Sequence, residues 1–97
     1  MNLLLSTVMK EKQRIEYMLN KYRDELSRLP KGSLSAKAVN GKEYFYLKYR
    51  DGGKVCSKYI RQTEIDIVRQ QIEKRKHIEA MISSLESELA IANKVLE

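Results

Sequence analysis

Tryptophan is absent from this chain of 97 residues, and proline, cysteine and histidine occur once each, as Pro30, Cys56 and His77. A lone cysteine cannot close an internal disulfide, which points to a reducing interior such as bacterial cytoplasm and to Cys56 as a small packed hydrophobe. His77, in Glu73-Lys74-Arg75-Lys76-His77, has neither a nearby cysteine nor a second histidine to complete a metal site. No serine has an accompanying base or sits in Gly-x-Ser-x-Gly, and the four glycines form no phosphate loop followed by Lys-Ser/Thr. The residues therefore predict no catalytic set, no metal and no cofactor. Long hydrophobic runs are missing too. Met1-Asn2-Leu3-Leu4-Leu5 has no basic residue ahead of it and polar residues soon follow, so neither a signal peptide nor a membrane anchor is expected.

What is present is charge and periodicity. Charged residues make up 33% and hydrophobic ones 42%, too apolar and too regular for a disordered chain. The length suits one small domain, residues 1–97, whose elongated form would bury only a modest share of its surface. Net charge is +6, and its placement says more than its size. Residues 1–30 carry +2, residues 31–62 carry +6 and residues 63–97 carry −2. The middle third thus holds the whole excess, together with four of the six tyrosines and the only phenylalanine.

That middle third is the only part with strand chemistry. Asn40-Gly41 and Asp51-Gly52-Gly53 divide residues 34–60 into three runs, because positive backbone angles are cheap only for Gly and tolerable for Asn or Asp. A three-stranded antiparallel meander follows. With Asn40-Gly41 as a two-residue turn, Leu34 faces Leu47, Ala36 faces Phe45 and Ala38 faces Glu43. Alternation then puts Leu34, Ala36, Ala38, Phe45, Leu47 and Tyr49 on a face to be covered. Ser35, Lys37, Tyr44, Tyr46, Lys48 and Arg50 fall on a wet one. The second turn allows two registers. Gly52-Gly53 alone sends Cys56 and Ile60 to the covered face and Val55, Ser57 and Tyr59 to the open one. A three-residue loop from Asp51 moves Val55 and Tyr59 to the covered face and Cys56 and Lys58 to the open one.

The flanking segments have helix chemistry. Over about residues 3–29, Leu5, Lys12, Leu19 and Leu26 alternate with Val8, Ile15, Tyr22 and Leu29 in a heptad pattern, and Pro30 ends the helix. Over about residues 63–96 a second helix opens at Thr63 as N-cap, with Glu64 and Asp66 in its first turn. Its seam is Val68, Gln71, Arg75, Ile78, Ile82, Leu85, Leu89, Ala92 and Leu96. The fold class is α+β: two long antiparallel, coiled-coil-like helices flanking the β-meander, whose covered face rests near Leu26, Leu29, Ile65 and Val68. Leu3, Leu4, Met9, Met81, Ile91 and Val95 lie off the seams and gather at the far end, which suggests a homodimer of four helices.

The leading functional expectation is a small non-enzymatic binding protein that takes nucleic acid on the open sheet face. Such surfaces combine cations that neutralise phosphates with flat aromatic groups. Lys37, Lys48 and Arg50 would hold phosphates, Tyr44, Tyr46 and Tyr59 would stack, and Lys42, Lys54 and Arg61 would extend the positive field at turns and edge. The bland alternative is that Tyr is a common strand former and Lys a common edge protector.

At Leu29-Pro30-Lys31-Gly32-Ser33-Leu34, Asn40-Gly41-Lys42-Glu43-Tyr44-Phe45-Tyr46-Leu47, Tyr49-Arg50-Asp51-Gly52-Gly53-Lys54-Val55 and Ser57-Lys58-Tyr59-Ile60, the chain resembles short bacterial and phage proteins of unassigned function. In these a GKxYxYL, YRxGGKV, SKYI pattern sits between two helical arms. The resemblance covers nearly the whole chain and implies no activity. Tyr44 through Gln70 is also similar, at the level of fold, to the arm-type DNA-binding domains of tyrosine recombinases, in which a three-stranded sheet docks on DNA ahead of a helix; the long first helix departs from that pattern. Small proteins of mobile elements include anti-CRISPR inhibitors of nucleic-acid-processing enzymes, which supplies the alternative expectation: a protein-protein interaction module binding through its helices or basic sheet.

Overall fold

The computed structural model describes residues 2–97. Two helices flank a three-stranded antiparallel sheet in the chain: α1 (Leu3–Ser27), β1 (Ser33–Val39), β2 (Lys42–Asp51), β3 (Lys54–Ile60), a 3-10 turn at Gln62–Glu64, and α2 (Ile65–Leu96). Strand order is β1-β2-β3. By packing, the chain comprises two compact units, one of residues 2–28 with His77–Glu97 and the other Leu29–Lys76. No helix among the described residues is long and apolar enough to cross a membrane.

In the first unit α1 runs antiparallel to the later part of α2. Asn2 caps α1, its side-chain oxygen accepting the Leu4 N–H at 2.8 Å. Ile15, Leu19 and Leu85 are buried together, with Met18, Tyr22, Ile82 and Leu89 packed around them. Residues late in α1 meet residues early in this part of α2, as the 2.9 Å ion pair of Arg23 with Glu86 shows. On the exposed surface the Glu11 carboxylate, hydrogen-bonded to Arg14 at 3.0 Å, raises the guanidinium's pKa further above its ordinary value.

α1 stops at Ser27, two residues before the expected Leu29. Proline disfavours helical geometry in the residue before it, so the last turn closes early. The Arg28 N–H donates to the carbonyls of Glu25 and Leu26, and the Arg28 side chain pairs with Asp24. At the other junction Thr63 is not the N-cap of α2. It lies inside the 3-10 turn, whose cap position is Arg61 and which has no side-chain cap. The Glu64 N–H donates to the Arg61 carbonyl at 2.9 Å, the i→i+3 bond that closes this tight turn ahead of the helix.

In the second unit the two hairpin turns are alike. Asn40 and Gly41 have φ of 52° and 77°, Gly52 and Gly53 of 57° and 84°. Two consecutive positive values mark the type I′ turn, whose twist matches that of the strands it joins. The first turn pairs Leu34 with Leu47, Ala36 with Phe45 and Ala38 with Glu43. The second uses Gly52-Gly53 alone and pairs Asp51 with Lys54, Tyr46 with Tyr59 and Phe45 with Ile60. Leu47 and Ile60 are buried against Ile65 and Ile72 of α2, with Leu34, Phe45, Tyr49 and Val68 packed beside them. The Arg75 guanidinium fixes the start of the unit by donating to the Leu29 carbonyl at 2.9 Å.

The cover is shorter than the sheet. Ala36 and Ala38, expected on the covered face, are exposed, as is the rest of the first hairpin's tip. The α2 residues that cap the sheet, Ile65 to Ile72, span about 10 Å at 1.5 Å per residue. The ten residues of β2 extend roughly 33 Å. The first hairpin therefore stands clear of its helix as a two-stranded ribbon.

Candidate nucleic-acid interface

Directly opposed residues of an antiparallel pair share a face, and alternate residues share it along each strand. The observed register therefore writes the open face as a set of rows along β2. Lys42 stands opposite Val39, and Tyr44 opposite Lys37. Tyr46 lies between Ser35 and Tyr59, Lys48 between Ser33 and Ser57, and Arg50 faces Val55. Four cations lie on this face and no carboxylate does. The sheet's two acids, Glu43 and Asp51, both point to the other side, in the rows of Ala38 and Lys54. Lys37, Lys42, Lys48 and Arg50 are all exposed, and among the described residues no ion pair engages them.

The tyrosines form a cluster at the centre. The Tyr46 and Tyr59 rings meet edge to face with centroids 5.8 Å apart, and Tyr44 meets Tyr59 at 6.5 Å with ring planes tilted by 50°. Such geometry is the favoured arrangement of aromatic quadrupoles. Tyr44 and Tyr46 are half-buried, while Tyr59 keeps 52% of its surface exposed.

Of the residues expected to bind nucleic acid, Lys37, Lys42, Tyr44, Tyr46, Lys48, Arg50 and Tyr59 come together on the one face. Lys54 and Arg61 do not. Lys54 belongs to the covered side at the second turn, and Arg61 follows β3 as the cap position of the 3-10 turn. Lys42, expected only as a turn residue, stands in a row of the face itself. Ser33 also joins the open face, opposite Lys48; β1 begins there, one residue before the Leu34 at which the strand pattern in the sequence starts. Among the described residues no group of His, Cys, Asp or Glu is disposed to hold a metal ion.

The apolar residues expected at an oligomer interface lie in the other unit. Leu3 is 84%, Leu4 67% and Ile91 65% exposed, Met9 and Val95 are also exposed, and Met81 is half-buried. Met9 lines a groove with Leu5 and Leu96, whereas Ile91 and Val95 line another with Val8 and Ala92.

A family model described as a domain of unknown function (DUF6788) matches residues 9–70. That span takes in most of α1, the whole sheet and the first turns of α2. No curated protein and no solved structure matches the chain.

Proposed function

We propose that this chain, which belongs to the DUF6788 family, is a binding protein for nucleic acid that takes the polyanion on the open face of its sheet. The observation that carries the reading is the placement of charge across the sheet: Lys37, Lys42, Lys48 and Arg50 stand on one face without a carboxylate, while both acids, Glu43 and Asp51, share the other with Lys54 and Lys58. A strand that merely needed solubility would gain from mixing both signs on its wet side. A face with only cations repels itself, and that repulsion is relieved when phosphates displace the counterions. The tyrosines between the cations supply hydroxyls and apolar bodies for sugars and bases.

The test is a mobility shift at low salt with Lys48→Glu combined with Arg50→Glu. Both residues are exposed, so the helical circular dichroism stays unchanged while affinity falls by at least about tenfold at roughly 50 mM salt. Unchanged affinity removes the reading.

A second reading is favoured by the bare apolar residues of the helical unit, Leu3, Leu4 and Ile91 above all. It is that two copies associate through these helices, with burial of apolar surface as the driving force. Sedimentation at micromolar concentration reports a dimer if so, and a strict monomer ends it. The two readings differ in their response to salt, which weakens phosphate binding steeply and leaves an apolar interface nearly untouched.

A further inference from the structure

The cations on the open face are not spread evenly. Lys37 and Lys42 form one pole beside the first hairpin tip, and Lys48 and Arg50 form the other, with Tyr44, Tyr46 and Tyr59 between them. The midpoints of the poles are six residues apart along β2, or about 20 Å at 3.4 Å per residue. Resting on the nucleic-acid reading, we propose that the ligand is duplex DNA, with the sheet laid over its major groove so that each pole meets one of the two flanking backbones and the tyrosines face the base edges.

Three observations favour the duplex. The B-form major groove is about 12 Å wide and admits a two-stranded ribbon, so poles about 20 Å apart overreach each lip by a few Å, within the span of a lysine or arginine side chain. The minor groove, about 6 Å wide, is too narrow for the sheet, and the A-form RNA major groove is too deep and narrow for side chains to read. The rings come next. A stacking platform for unpaired bases needs bare ring faces, yet Tyr59 is engaged with both Tyr46 and Tyr44 at 5.8 and 6.5 Å, and the latter two are half-buried. The cluster offers hydroxyls and ring edges, which suit contact with paired bases from the side. Last, the first hairpin is exposed on both faces from Ala36 to Glu43. It is free to reach over one flanking backbone without disturbing the core of its unit.

The experiment uses the full chain and fluorescein-labelled nucleic acids: a 20-base-pair DNA duplex of mixed sequence, one of its strands alone, and a duplex RNA of the same sequence. Anisotropy titrations at about 50 mM salt are expected to give at least about tenfold tighter binding to the DNA duplex than to either other ligand. Four phosphate contacts predict a slope of log K against log salt near −3.6, and neutralising either pole, as Lys37→Gln with Lys42→Gln or Lys48→Gln with Arg50→Gln, makes it shallower by about 1.8. Ethylation interference places the critical phosphates on both strands across one major groove, and netropsin, which fills the minor groove, leaves binding intact. Preference for the single strand or the RNA, or displacement by netropsin, overturns the groove placement and leaves the broader reading standing. Failure to bind any of the three overturns both.

Discussion

Replacing Gly32 with alanine tests how the sheet is joined to what precedes it. Gly32 has φ +112°, a conformation open to glycine and strained for any residue with a Cβ, and the added atom would press into the Lys48 carbonyl oxygen. It would also come within 2.9 Å of the Lys48 carbonyl carbon and 3.0 Å of the Tyr49 Cβ. The obstacle is β2 backbone, which cannot swing aside as a flexible side chain would. Backbone strain of about 1–2 kcal/mol and about 1–3 kcal/mol for forcing the strands apart sum to a loss of roughly 2–5 kcal/mol. Gly41→Ala is the control. It also requires positive φ, +77°, but a Cβ there meets nothing within 4 Å, so only the strain of about 1–2 kcal/mol applies. Urea titrations followed by far-ultraviolet circular dichroism compare the two variants directly. Equal midpoints would show that the Gly32 contact with β2 has no structural weight, and the account of this junction would fail.

Other changes separate the parts of the molecule. Leu19→Ala empties the most buried side chain of the helix pair, 2% exposed, and lowers stability by about 2–5 kcal/mol in the same titration; a loss below about 1 kcal/mol would contradict the packing of Ile15, Leu19 and Leu85. Glu86→Gln breaks the ion pair with Arg23, but both side chains are about half exposed, so thermal unfolding shifts by no more than the equivalent of about 1 kcal/mol. Ser57→Glu and Lys58→Glu compare the two sheet faces in anisotropy titrations. Ser57 stands beside Lys48 on the open face and Lys58 beside Leu47 on the other; the serine variant is expected to bind duplex DNA more weakly than the lysine variant, although it removes one unit of charge and the lysine variant two. The reverse order would place the binding surface on the wrong side of the sheet.

Much of this architecture is legible in the residues because several local signals agree. Pro30, two Gly-containing turns and two long apolar periods each point to the same element order. Within α2 the legibility breaks down at Ile72. A single heptad frame fitted to the whole helix passes through Gln71 and Arg75 and skips Ile72, which is buried under the sheet. The stripe that serves the sheet, Ile65, Val68 and Ile72, and the one that serves the helix pair, Ile82, Leu85 and Leu89, meet different neighbours and need not share one frame. Met18 escapes the heptad pattern for a related reason: it packs beside the core from the margin of the seam, and an unbranched thioether fills such a margin well. The bare tip of the first hairpin was invisible because alternation marks which side a residue faces but not how far the covering helix extends.

The candidate interface depended on a choice that composition left open. Asp51, Gly52 and Gly53 all favour turns, and a loop of two or three residues is acceptable to each of them. What separates the options is the far end of β3. With Gly52-Gly53 as the turn, Ile60 comes opposite Phe45 and is buried to 5% exposure against Ile65 and Ile72. With one more residue in the loop, Tyr59 would enter that core with a hydroxyl to satisfy, and Ile60 would face water. Burying the aliphatic side chain and leaving the phenol wet is favoured by both the apolar gain and the polar penalty. The same slip would carry Lys58 to the open face and remove Tyr59 from its place opposite Tyr46. The tyrosine cluster therefore exists only because Ile60 is drawn into the core, so a residue that touches no ligand sets the face that would.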